Sequence, residues 1–268
     1  MTSRRHTLLR LGAAAASLAW VGAAAAAQRR SLADPLRLAA DDALVDSGLA
    51  ASLQRTFGQD TGVAVQLIKG PASTVLEALE RGEHDAALTN APDVELPLEK
   101  QGLIHDRRAI VTSDFVVVGP TALLKPLAAG KDAGLALARL AQAESPFLTR
   151  PDGSGSHLAE LAAWRLAKTA PGGDWYRKAT PGKPLLADAR ERNACVLVER
   201  GVWAAQGAIK GMAALVDSDP RLAVDVHVMR TFRAERQHPA GKLFMNWITD
   251  GKGRALAASH RGYRPTGS

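Results

Sequence analysis

A loop rich in glycine and serine, between Arg150 and His157, carries the densest chemistry in this 268-residue chain. In TRPDGSGSHLAE, Thr149 to Glu160, a short apolar run ends in proline, glycine and serine and passes directly into a helical pattern. Such a junction suits an anion, because the first N–H groups of a helix lack partners inside it and the helix dipole favours negative charge there. Arg150 would add a fixed positive fork, and Ser154 and Ser156 would add hydroxyl donors. The same residues also fit ordinary capping, with either serine closing the helix start and Arg150 in a surface ion pair. KGPAST, residues 69 to 74, repeats the geometry, with Ser73 near a second helix start. Two such ends facing each other across a cleft would hold a small oxygen-rich ligand. Asp41 and Asp42 work against this, since two carboxylates are poor neighbours for an anion. They fit either a solvated turn, with Asp42 or Asp46 capping the next helix, or a set of acceptors for a cationic or hydroxylated ligand.

Catalytic arrangements are scarce. GSGS does not match the GxSxG nucleophile spacing, and no Walker loop or dinucleotide glycine pattern occurs. The histidines, at 6, 84, 105, 157, 227, 238 and 260, do not pair at metal-ligand spacing with one another or with the single cysteine. His157 follows Ser156 and is expected to cover the helix start rather than act as a base, because adjacent residues rarely line up as nucleophile, base and orienter. Cys195 lies among Ala194, Val196 and Leu197, the surroundings of a buried strand thiol. The expectation is a binding protein, not an enzyme, with no catalytic residue, no cofactor and no metal.

The elements that must position these residues alternate. A short apolar run at Leu36 to Ala39 leads into a helical pattern introduced by Ser47, with Leu49, Leu53 and Phe57 on one face. VAVQLI at 63 to 68 reads as a strand, Ser73 or Thr74 can cap a helix carrying Val75, Leu76 and Leu79, and Asp85 to Thr89 gives a third strand. Strands that alternate with helices imply parallel pairing with helices on both faces. DFVVVGP at 114 to 120 is another buried strand, followed by an alanine and leucine helix from about Asp132 to Ala143. FLTR at 147 to 150, a helix from Ser156 to Lys168, the loop PGGDWYRKATPGKP and a strand through CVLV at 195 to 198 follow. DVHVMR at 225 to 230 reads as a return strand, and the last helical stretch offers Leu243, Phe244 and Trp247 as a packing face. The expected division is a first lobe from 34 to 115 with 226 to 268 and a second lobe from 116 to 225, hinged near Asp114 to Gly119 and Ala223 to Val228.

Composition points to export. Residues 1 to 27 combine a basic start, an alanine-rich apolar middle and a small-residue exit at Ala25 and Ala27, the order of a signal peptide. Arg4 and Arg5 ahead of Thr7, Leu8 and Leu9 resemble a twin-arginine signal. An uncleaved anchor is the other reading, although the apolar run, Leu11 to Ala27, is near the lower limit for a span. Removing residues 1 to 27 lowers the formal charge from +7 to +4. The remaining basic residues are scattered, so nucleic acid is not an expected partner. One cysteine excludes an intramolecular disulfide despite an oxidising destination.

The order of motifs resembles the tungstate- and molybdate-binding solute receptors of ABC transporters, within the type II periplasmic binding protein fold. LRLAADDALVDSGLAASLQRTFGQDTGVAVQLI, GEHDAALTNAP, TSDFVVVGP, SPFLTRPDGSGSHLAELAAWR, GGDWYR, ERG at 199 to 201 and FMNWITDGKGRALAA carry the resemblance in the family's order. It implies an α/β protein of two lobes, each a mostly parallel sheet flanked by helices, that captures a small oxyanion between them. It also implies a monomer in the periplasm that delivers its ligand to a permease in the inner membrane. Arg150, Ser154 and Ser156 stand where the family motif has arginine, serine and threonine. The family's hydroxyl cluster after the first strand is replaced by Ala40, Asp41, Asp42 and Ala43, its glycine and threonine loop by Gly70, Pro71, Ala72 and Ser73, and a hydroxyl-bearing strand by Val196, Leu197 and Val198. The resemblance therefore leaves two ligand readings, an oxyanion or a different small solute, beside the reading of an exported regulatory or accessory protein.

Overall fold

A computed structural model describes residues 31–233 and 237–267. The signal peptide expected at 1 to 27 lies outside the described residues. In chain order the elements are β1 (Leu36–Asp41), α1 (Asp42–Asp46), α2 (Leu49–Thr61), β2 (Val65–Gly70), α3 (Ala72–Glu80), β3 (Ala86–Thr89), α4 (Pro92–Lys100) and the long β4 (Ile104–Pro120). Then come α5 (Leu124–Leu127), α6 (Ala133–Gln142), β5 (Phe147–Thr149), α7 (Gly155–Leu166), β6 (Tyr176–Lys178), α8 (Leu185–Glu191), β7 (Val196–Glu199) and α9 (Arg200–Gln206). The chain closes with β8 (Met212–Val216), β9 (Ala223–Thr231), α10 (Gly241–Thr249) and α11 (Lys252–Ser259).

The result is a two-lobed α/β fold. Parallel pairing holds where a helix makes the crossover, in β1 with β2, β1 with β3, and β5 with β6. The strands that pass between lobes run antiparallel. β9 pairs with β3 and with β4, and β4 pairs further along with β7 and β8. β4 changes partner between Asp114, opposite Ala223 of β9, and Phe115, opposite Glu199 of β7. One strand thus belongs to both lobes, and the fully buried run Ile110, Val111, Val116, Val117 and Val118 reflects helices on both of its faces.

Each lobe has its own core. The first holds Leu38, Leu44, Leu53, Phe57, Val228 and Phe244, with Phe57 and Phe244 edge-to-face at 5.1 Å. The second holds Val117, Leu137, Leu140, Phe147, Trp164 and Leu197, with Phe147 and Trp164 also 5.1 Å apart. The C-terminal packing face differs from expectation. Leu243 is 48% exposed, while Phe244, Met245 and Ile248 enter the core. A break at Asp250 and Gly251 turns the single expected helix into α10 and α11, with Gly251 at φ +66°. The loop expected from Pro171 to Pro184 contains a strand, β6, held beside β5. Among the described residues no helix is long and apolar enough to cross a membrane.

Candidate functional site

The parallel register brings the site together. In the first lobe Asp41 ends β1 opposite Gly70, which ends β2, so α1 and α3 start side by side, and Asn90 follows β3 at the same edge. In the second lobe α7 starts after the carboxyl end of β5 and α9 after that of β7. Both sets of helix starts meet at the junction between lobes, the usual ligand position in open α/β sheets.

Asp41 is the centre of that junction. It is fully buried and caps α1, with Oδ1 accepting from the Ala43 N–H at 3.0 Å. Its Oδ2 accepts from Ala72 N–H, at the start of α3, and from Gly155 N–H, at the start of α7, each at 2.9 Å. One carboxylate therefore joins three helix starts from two lobes. Burial pushes its carboxyl up to about 6, and the nearby Asp42 adds to the rise, while the N–H donors of Gly155, Ala43 and Ala72 oppose it. The expectation that Asp42 or Asp46 caps the next helix is corrected: α2 starts after Gly48 with no side-chain cap, and the capping carboxylate is Asp41, on the short α1 before it, its strand-end backbone at ψ 144° aiming its side chain back over that first turn.

Ser73 does not cap α3, whose N-cap is Pro71. Instead its N–H and its hydroxyl both donate to the Gly153 carbonyl across the junction, at 3.1 and 3.0 Å. Ser154 is buried and caps α7, its hydroxyl accepting from His157 N–H at 3.3 Å. His157 covers the same turn, with Nδ1 accepting from Gly153 N–H at 3.2 Å, and burial lowers its pKa. Gly155 has no room for a side chain: a Cβ there would lie 1.8 Å from Asn90 Oδ1. Asn90 is buried, and neither its Oδ1 nor its Nδ2 has a hydrogen-bond partner among the described residues.

Arg150 and Asp42 sit beside this junction in a cavity of about 1050 Å³. Arg150 reaches Asp42 of the first lobe at 3.5 Å and its own neighbour Asp152 at 2.6 Å. Burial raises the Asp42 carboxyl above its ordinary range, with Arg150 and Lys69 pulling it back. Lys69 in turn pairs with Asp46. Ser156 lines the cavity, and Lys178, Lys183 and Val202 complete the far wall. Its rim thus carries four cations and three carboxylates, a surface able to hold a solute that bears charge of either sign.

A second buried carboxylate, marked in the sequence only as the first residue of ERG at 199 to 201 and given no role there, lies at the end of β7. Glu199 accepts from the Ser113 hydroxyl and from Tyr263 OH, the latter at 3.0 Å, and Tyr263 OH shares a 2.8 Å hydrogen bond with Ser47. Burial raises Glu199 to about 7, opposed by those hydrogen bonds and raised further by Asp41. Cys195 is buried as its neighbours implied, and burial pushes its thiol up to about 12. Among the described residues no group of three His, Cys, Asp or Glu side chains could hold a metal ion.

The profile of the PBP superfamily domain matches residues 25–252. A protein of Peptoclostridium acidaminophilum named tungstate-binding protein TupA is 27% identical over 229 residues, covering 83% of this chain and 80% of that protein. A crystal structure described as the tungstate ABC transporter from Geobacter sulfurreducens aligns with TM-score 0.74 and 26% identity, over 85% of this chain and 99% of that one. The tungstate-binding protein of Desulfovibrio alaskensis, at 21% identity, shares the fold with TM-score 0.70, over 88% of this chain and all of that one.

Proposed function

The chain belongs to the PBP superfamily, and from that premise we propose that it is the solute-binding protein of an ABC importer, exported by the segment at 1 to 27 and working as a periplasmic monomer. Its lobes, 34 to 115 with 226 to 268 and 116 to 225, close over a solute about the β4 and β9 crossings. The change of partner in β4 between Asp114 and Phe115 supports that boundary. Binding shifts an equilibrium between open and closed states without covalent chemistry. The permease reads the closed state.

One observation carries this reading: a single cavity of about 1050 Å³ has walls from both lobes and charged side chains from each. Arg150 meets the anionic part of the solute, with Ser156 beside it, and Asp42 meets a hydroxyl or cationic part. The names of the relatives support an oxyanion of the tungstate and molybdate class. The geometry favours a solute with more than a bare oxyanion, because Arg150 already faces two carboxylates, and Ser73 and Ser154 spend their hydroxyls on protein partners. An anion lacking a matching cationic or hydroxyl group would have to displace those pairs.

Calorimetry and thermal shift on the protein without residues 1 to 27 test this, with tungstate, molybdate, sulfate, phosphate and amino acids as solutes. The expected result is a saturable rise in melting temperature with one solute class, lost in Arg150→Ala. A flat response to every solute overturns the receptor reading and leaves the accessory role.

A further inference from the structure

We propose that the Asp41 carboxylate is a built-in anion, occupying an oxyanion seat at the lobe junction that becomes available to an external oxyanion when the carboxylate is removed. This deepens the receptor reading at the same cleft by assigning the charged position between the helix starts to the chain itself.

Two independent features define the seat. First, N–H groups from the first turns of α3 and α7 converge on one oxygen, Asp41 Oδ2, and Ala43 N–H meets the other. α3 and α7 come from different lobes and run nine and twelve residues, long enough to direct positive dipole ends at that point. Second, Asn90 lies against Gly155 with both polar atoms of its side chain buried and unpartnered. A buried amide without partners is costly, and it marks unspent hydrogen-bonding capacity beside the helix start that donates to Asp41. Nothing cationic among the described residues touches Asp41. Its charge is met by N–H donors alone, as a captured oxyanion would be. Ser73, donating to Gly153 across the junction, holds the two helix starts at the spacing the carboxylate bridges.

Removal of the carboxylate leaves these donors converging on a position that an inorganic oxyanion can fill in competition with water. The test titrates sulfate, molybdate and tungstate into wild type, Asp41→Ala and Asp41→Asn. Asp41→Ala is expected to bind an oxyanion roughly tenfold or more tighter than wild type, because charge-assisted hydrogen bonds are then made only in the variant. Its lowered melting temperature should be restored by the oxyanion or by formate, and not by an equal concentration of chloride. Asp41→Asn, which keeps the volume and leaves an amide in the seat, should gain less affinity than Asp41→Ala. Circular dichroism confirms that each variant is folded. If Asp41→Ala does not fold, formate or sulfate added during refolding should recover it, and failure of both overturns the proposal. Equal oxyanion affinity in wild type and a folded Asp41→Ala also overturns it, while leaving the receptor reading intact. A gain confined to Asp41→Ala supports it even where no solute binds wild type.

Discussion

Glu199 is fully buried at the end of β7, and its raised carboxyl makes stability depend on pH. In the unfolded chain it titrates near 4.5 and in the folded protein near 7, so between those values the folded state binds more protons. Its stabilising share is therefore complete below about pH 4.5 and is lost as pH rises through 7. Over that window the loss is on the order of 3 kcal/mol. Asp41, raised to about 6, adds a loss of the same sign over a lower range. Glu199→Gln keeps the shape and removes the charge, its amide oxygen accepting from one of the two hydroxyls and its N–H group donating to the other. Chemical denaturation from pH 4 to 8 should show a visibly shallower decline in this variant, and parallel curves for wild type and variant would remove Glu199 from the account.

At the scale of elements, the start of α7 decides whether the junction holds. Ser154→Ala removes the cap and should lower stability by about 1 kcal/mol, read by urea denaturation. Gly155→Ala should cost considerably more, since its Cβ has no space beside Asn90 and its N–H holds Asp41. Gly155→Ala combined with Asn90→Ala should recover part of that loss, whereas strict additivity of the two would show that the clash is not the cause. The helix start itself was readable in the sequence, from glycine and serine ahead of an apolar pattern. Its bonding was not, because Ser73 and Gly153 meet from positions 80 residues apart. The Asp41 and Asp42 pair was likewise readable as hostile to an anion. That Asp41 is itself the anion depends on the parallel register of β1 and β2, which places it next to the start of α3. Short elements such as β6 and α8 escaped because three to seven residues carry too little periodicity to declare themselves.

At the scale of the whole molecule, two cores share two strands, β4 and β9. Neither lobe can lose its sheet without taking backbone hydrogen bonds from the other. Phe147 is fully buried in the second core. Phe147→Ala should cost about 3 to 5 kcal/mol, and calorimetry should show one transition moved down in temperature. Two separate transitions would mean that the lobes unfold independently. The alternation of strands and helices foretold the parallel pairs of β1 with β2 and β3 and of β5 with β6, since each crossover helix demands a parallel neighbour. The antiparallel return strands follow from chain passage between lobes, which no local pattern encodes.

A carboxylate on the chain never diffuses away. Asp41 is one residue from the helix it caps, so its effective concentration at the junction is at least millimolar, the scale of a short tether. Any free anion competing for the same N–H groups meets that concentration at all times, and its apparent affinity falls by the ratio of the tethered anion's effective concentration to its strength of binding. A free anion of equal intrinsic affinity must exceed that effective concentration before it displaces the carboxylate. Covalent attachment alone thus guards the junction against dilute small anions, whatever the neighbouring cavity holds.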